Sequence, residues 1–137
     1  MAKKKDWSEK LATCKPHVVK RLDKNLAGMK SGQQMLVPSP KLLDEFIKNI
    51  PEGDSMNVLS MRETLAGQHQ ADVTCPIATG FAIKVVAEAA FEKLDEGDSL
   101  SQITPIWRVL DKESPTLQKM SFDPNALLNQ RAAEGLD

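Results

Sequence analysis

Ile77, Phe81, Val85, Ala89 and Leu94 recur at helical spacing between the triplet Thr74-Cys75-Pro76 and Gly97. This run constrains the fold more than any other feature, because it predicts one long helix over residues 75–96 with a sustained apolar face. Thr74 is a good cap for the open backbone N–H groups. Pro76 has no N–H to leave unpaired and suits the first turn. Composition agrees with a helical build. The chain has four Phe, two Trp and no Tyr in 137 residues, so its core must rest on Leu, Ile, Val, Met and Ala. That mixture favours helices over a large sheet. The length suffices for one compact domain with one core.

Other punctuation divides the rest of the chain. Asp6 to Ala12 is predicted as a short helix, interrupted by Pro16, with a second helix over His17 to Leu26 before Gly28 and Gly32 break the pattern. Gln34 to Val37 is short and apolar enough for a strand. Ser39-Pro40 is a clear helix start, followed by Leu42, Leu43, Phe46, Ile47 and Ile50 at helical spacing, with Pro51 as the stop and Gly53 supporting the turn. Ser60 to Glu63 fits a capping box, predicting a helix to about His69 and a break over Gln70 to Val73. A short helix, a tight break and a longer helix is the order of a helix-turn-helix, an order that many helical hairpins share. Ile103 to Leu110 reads as a strand, Pro115 as part of a polar turn, and Asp123-Pro124 as the start of a last helix that Gly135 ends. The expected fold is mostly α with a small β component, divided into a basic extension over residues 1–35 and one domain over residues 36–137.

Charge is unevenly spread. Residues 1–30 carry nine Lys/Arg and three Asp/Glu, a net +6, which leaves −7 on the remainder. A basic arm on an acidic body suits phosphate contact, and equally suits a solvated tail. The two cysteines, Cys14 and Cys75, are distant in sequence, and a reducing compartment does not suggest a disulfide. Cys14 with His17, and His69 with Cys75, lack the paired spacing of a zinc site, so neither metal nor cofactor is expected. The charged opening Met1 to Asp6 has no apolar stretch after it like a secretory signal, and no apolar run approaches the ~18 residues of a membrane span. A cytoplasmic protein with no membrane partner is expected.

Two C-terminal segments add a resemblance. Pro105-Ile106-Trp107-Arg108-Val109, with Asn129-Gln130-Arg131-Ala132-Ala133-Glu134-Gly135, resembles the end of an O6-alkylguanine-DNA alkyltransferase, the methylated-DNA–protein-cysteine methyltransferase family. Ile50-Pro51-Glu52-Gly53 and Ala78-Thr79-Gly80-Phe81-Ala82 are similar to two further segments of that family, in the same order. The resemblance covers about Leu36 to Gly135 and implies a winged-helix-like (helix-turn-helix) DNA-binding domain whose recognition helix holds Ala78 to Ala82. Ile103 to Arg108 also resembles the cysteine-less, alkyltransferase-like members. Departures are specific. The position of the family's acceptor cysteine is Ile106, and that of its histidine is Trp107. The position of the arginine that fills the hole left by a flipped base is Ile77. The family's Tyr falls near Arg62, and its Asn-Pro approach to the active segment is missing.

An alkyl side chain cannot be a nucleophile, so the resemblance implies the frame without the reaction. The leading expectation is non-catalytic DNA binding and repair-type recognition of an alkylated duplex. Arg62, Ile77, Thr79 and Lys84 would meet DNA, with Ile77 able to act as an apolar wedge. Ile106, Trp107, Arg108 and Glu134 would form the lesion pocket. Trp107 could stack on a base, a contact of about 1–3 kcal/mol, or pack in the core, and strand alternation would send Ile106 and Trp107 to opposite faces. Arg108 could contact phosphate or, the favoured expectation, tie its segment to the last helix through Glu134, which in the family belongs to the hydrogen-bonded chain behind the cysteine. Glu88, Glu92, Asp95, Glu96 and Asp98 would repel phosphate from the far half of the long helix. One competing class is a protein-interaction module that kept the fold and lost DNA. Another is an alkyl acceptor using Cys75, placed near a helix N-terminus where a thiol pKa falls.

Overall fold

A computed structural model describes residues 6–136 of the chain. Lys3, Lys4 and Lys5 of the basic leader lie outside the described residues. The fold is mostly helical with a small three-stranded sheet. In chain order come α1 (Trp7–Ala12), β1 (Val18–Arg21), β2 (Gln34–Val37), α2 (Pro40–Lys48), α3 (Val58–Gln68), β3 (Val73–Thr74), α4 (Pro76–Asp95) and α5 (Pro124–Ala133), with 3₁₀ turns between α4 and α5. No helix among the described residues is long and apolar enough to cross a membrane.

The predicted long helix is α4, and it is the axis of the molecule. From Ala82 to Phe91 every residue but Lys84 is buried, so this stretch is covered all round, which marks a central helix. Helices α1 and α2 pack along it. The main core joins Leu43 and Ile47 of α2, Met61 and Leu65 of α3, Ile83 and Val86 of α4, and Leu127 of α5. The caps differ in detail from those predicted. Ser39 does cap α2, accepting from the Leu42 N–H at 3.1 Å. Helix α3 starts three residues earlier than the Ser60 capping box implied, because the Asn57 carboxamide accepts from the Ser60 N–H at 2.8 Å. Thr74 is not the cap of α4, since it is spent in β3; Cys75 takes that place, with Sγ 3.5 Å from the Ala78 N–H.

Two larger corrections concern strands. His17 to Leu26 is not a helix: Val18–Arg21 pairs antiparallel with β2, Val19 opposite Leu36. The adjacent β-branched Val18 and Val19 suit a strand, and the chain then turns between Leu26 and Met29, which exchange backbone hydrogen bonds of 3.0 and 2.8 Å. Ala27 and Gly28 both have positive φ there (48° and 86°), the pattern of a tight hairpin turn that glycine eases. Strand β2 also pairs parallel with β3, giving the order β1-β2-β3. Beneath the sheet, Leu22, Met29, Met35 and Cys75 form a second small cluster. The basic leader is thus woven into the domain through both β1 and α1.

Ile103 to Leu110 is not a strand. Ile106–Arg108 is a 3₁₀ turn, with Arg108 N–H bonded to Pro105 O at 3.0 Å and Val109 N–H to Ile106 O at 3.1 Å. A strand would need an edge to pair with; this segment closes short turns on itself, and its outward carbonyls accept from the Met56 N–H and the Arg131 guanidinium. The turn places both Ile106 and Trp107 in the core, where alternation would have separated them. Pro115 opens another 3₁₀ turn, Pro115–Lys119, and Asp123 caps α5.

Candidate functional site

Glu134 gathers three distant segments. Arg108 donates to it twice, Nε to Oε1 at 2.9 Å and Nη2 to Oε2 at 2.9 Å, in the planar fork that guanidinium and carboxylate share. Trp107 Nε1–H donates to Oε2 at 2.7 Å. The Gly53 N–H adds a longer contact to Oε1 at 3.3 Å, and Arg108 Nη1 donates to the Ile50 carbonyl at 2.8 Å. Gly53 has a φ of 87°, so a non-glycine residue here would be strained. Arg131 of α5 closes the other side, donating to the Trp107 and Leu110 carbonyls. The Arg108 hydrogen bonds come first in pulling the Glu134 carboxyl down to about 2, against the opposing effect of its burial. The arrangement fits a fixed anion and a fixed cation. It offers no free nucleophile, since Ile106 is wholly buried beside it. Trp107 is 3% exposed, so its ring cannot stack on a base unless the cluster opens.

The residues expected to meet DNA are divided by the structure. Thr79 is 1% exposed and its hydroxyl donates to the Cys75 carbonyl at 2.7 Å, so it stabilises the first turn of α4 and cannot reach a duplex. Lys84 is held by Glu88 at 2.9 Å and by the Lys119 carbonyl at 2.9 Å. Arg62 faces β3, where Thr74 Oγ1 donates to its carbonyl at 2.7 Å. Ile77 alone stands out, 63% exposed, with Phe81 one turn on at 65%. The apolar face predicted for this helix therefore splits. Val85 and Ala89 enter the core, while Ile77 and Phe81 meet water.

Glu88 corrects the picture of a phosphate-repelling acidic stripe. It is 3% exposed and accepts from Lys84, from the Ser121 N–H at 2.9 Å and from the Ser121 hydroxyl. Burial pushes its carboxyl up, and the hydrogen bonds from Ser121 and Lys84 more than reverse this, so it is held below the usual range. Glu92 is also engaged, accepting from the Trp7 and Ser8 N–H groups at 3.1 Å each and so capping the start of α1. Sequence spacing could have suggested the Lys84–Glu88 pair, four residues apart on a helix; nothing local points to Ser121 or to Trp7.

Cys75 is buried at 7%, with its sulfur turned onto its own helix. Cys14 is half-buried, and both thiols are free. His17 and His69 meet edge to face with ring centroids 4.7 Å apart. No group of three or more His, Cys, Asp or Glu side chains among the described residues could hold a metal ion. Compared with known proteins, the chain matches no protein-family model, no curated protein and no solved structure.

Proposed function

We propose that this chain is a non-catalytic interaction module on an alkyltransferase-like, winged-helix-like frame, and that its binding face is the first two turns of α4. Three of the segments that carry the alkyltransferase resemblance meet around the Arg108–Glu134 pair: the Ile50 carbonyl on Arg108, the Gly53 N–H on Glu134, and Trp107 with Arg108 on the same carboxylate. Trp107 occupies the position of the family's histidine and makes the hydrogen bond to the closing glutamate, which supports a retained frame. The reacting position, Ile106, is apolar and buried.

The observation that carries the binding claim is the pair Ile77 and Phe81. They lie four residues apart, on one face of α4, and both are more than three-fifths exposed. Large apolar side chains clustered at a surface mark contact with another macromolecule. A protein partner suits this face better than DNA, because duplex affinity comes largely from cations on phosphate. Of the four expected DNA contacts, Thr79 is buried and Lys84 is already paired. The specific observation favouring DNA is Ile77 itself, an exposed apolar side chain of the kind that wedges between base steps.

One experiment separates these readings. A photo-crosslinking amino acid replaces Phe81, and the protein is irradiated in its own cells. A discrete protein adduct that Ile77→Ala abolishes is the expected result. In parallel, anisotropy is measured with a duplex with and without one O6-methylguanine, at two salt concentrations. Duplex binding that Ile77→Ala abolishes, without a protein adduct, would replace the protein reading with the DNA reading.

A further inference from the structure

The geometry points to a second docking surface, separate from the α4 face: the open edge of β1 is built to receive an extended acidic peptide as a fourth strand. Among the described residues the sheet ends at β1, and all four residues of that strand are exposed, Val18 at 49% and Val19 at 40%. The Leu22 N–H donates to the Gln33 carbonyl at 2.9 Å, so Leu22 faces β2. Alternation along an antiparallel strand then turns the backbone groups of Val19 and Arg21 outward. An edge with outward N–H and C=O groups is a template for strand addition.

Charge selects the occupant. Lys15, Lys20, Arg21 and Lys24 lie on or beside the edge, with Asp23 the one acid from Lys15 to Lys24. Lysines on a short edge strand normally guard it against pairing. That guard works against a second copy of this chain, because two β1 strands would bring the same cations to one seam. It does not work against a strand carrying carboxylates. Val18 and Val19 supply β-branched partners for cross-strand contact, while Lys20 and Arg21 project to opposite faces of the sheet. The fitting ligand is an extended segment in which acidic and β-branched residues alternate.

The test uses the full chain and a short fluorescein-labelled peptide alternating Glu and Val, followed by anisotropy at low salt. Binding is expected, and Lys20→Glu with Arg21→Glu should weaken it by about tenfold or more through like-charge repulsion. A peptide N-methylated on alternate amides keeps its charge and loses the donors that face β1; its binding should fall by a similar factor. Val19→Pro removes an outward donor on an edge strand, where proline is tolerated, and should weaken the unmodified peptide. Equal binding of the N-methylated peptide would overturn strand addition and leave charge alone. Tighter binding of a duplex DNA that displaces the peptide would assign the edge to phosphate. No peptide binding at low salt would also overturn the proposal. None of these results depends on whether Ile77 and Phe81 bind a protein.

Discussion

Around Glu134 the side chains sit almost out of water and their charges are matched. On the first two turns of α4 two large apolar side chains face water directly. The resemblance implies a lesion pocket in the first region and nucleic-acid contact in the second. The geometry makes the first a structural knot; the second carries the binding face only in the proposed function. Substitutions should therefore separate stability from binding: changes at the knot cost folding, and changes at the proposed binding face cost partnership.

The largest effect is expected from Glu134→Ala. It leaves Arg108 charged and nearly buried and the Trp107 N–H unpaired. Breaking such a pair by removing one partner costs about 3–5 kcal/mol, read as a lower urea midpoint. A loss below about 1 kcal/mol would put the knot on a level with an ordinary surface pair.

Next in size is acid sensitivity. The Glu134 carboxyl is held at about 2 in the folded chain, below its ordinary 4.5. The folded value is depressed, so its stabilisation is complete above about pH 5 and is lost as pH falls toward 2. Stability measured across this window should drop, and Glu134→Gln should flatten part of the drop. Glu88 is shifted in the same direction, so some slope should survive in that variant. A slope unchanged by Glu134→Gln would show that Glu134 does not carry it.

A smaller loss is expected from Ser121→Ala, which removes the hydroxyl from the buried Glu88 and keeps the Ser121 N–H bond and Lys84. About 1.5–3 kcal/mol is expected from denaturation, as for a hydrogen bond to a charged group. The smallest stability effects belong to Ile77→Ala and Phe81→Ala, within about 0.5 kcal/mol, since neither side chain is in the core. If either destabilised the chain by 2 kcal/mol or more, the face would be part of the fold and the contrast would collapse.

The elements legible in the sequence were those with local causes. Ser39-Pro40, Pro76 and Asp123-Pro124 mark helix starts through backbone chemistry within a turn, and α2, α4 and α5 begin there. Val18–Arg21 looks helical from its own residues because nothing nearby in sequence announces β2 as its partner. Ile103 to Leu110 has strand-like composition, and its fate was set by backbone bonds closing around Pro105 and Ile106. The site follows the same division. Arg108 to Glu134 was anticipated through the resemblance. Ser121, which donates to Glu88, and Trp7, which donates to Glu92, lie 33 and 85 residues from them and leave no local trace. The exposed half of α4 was hidden for another reason: periodicity shows that Ile77 and Phe81 share a face with Val85, but not where along the helix the packing stops.

The carboxylate of Glu92 has a consequence for the order in which the molecule can assemble. Helix α1 has six residues and no buried side chain, too few to stand alone in water. Its first backbone donors are satisfied by a side chain 85 positions further along. On a ribosome adding about 5–20 residues each second, that anchor is made on the order of ten seconds after Trp7. Trp7 and Ser8 cannot make this anchor until Glu92 has been synthesised. Closure of α1 onto α4 is a late step of biogenesis, although α1 is the first element in the sequence.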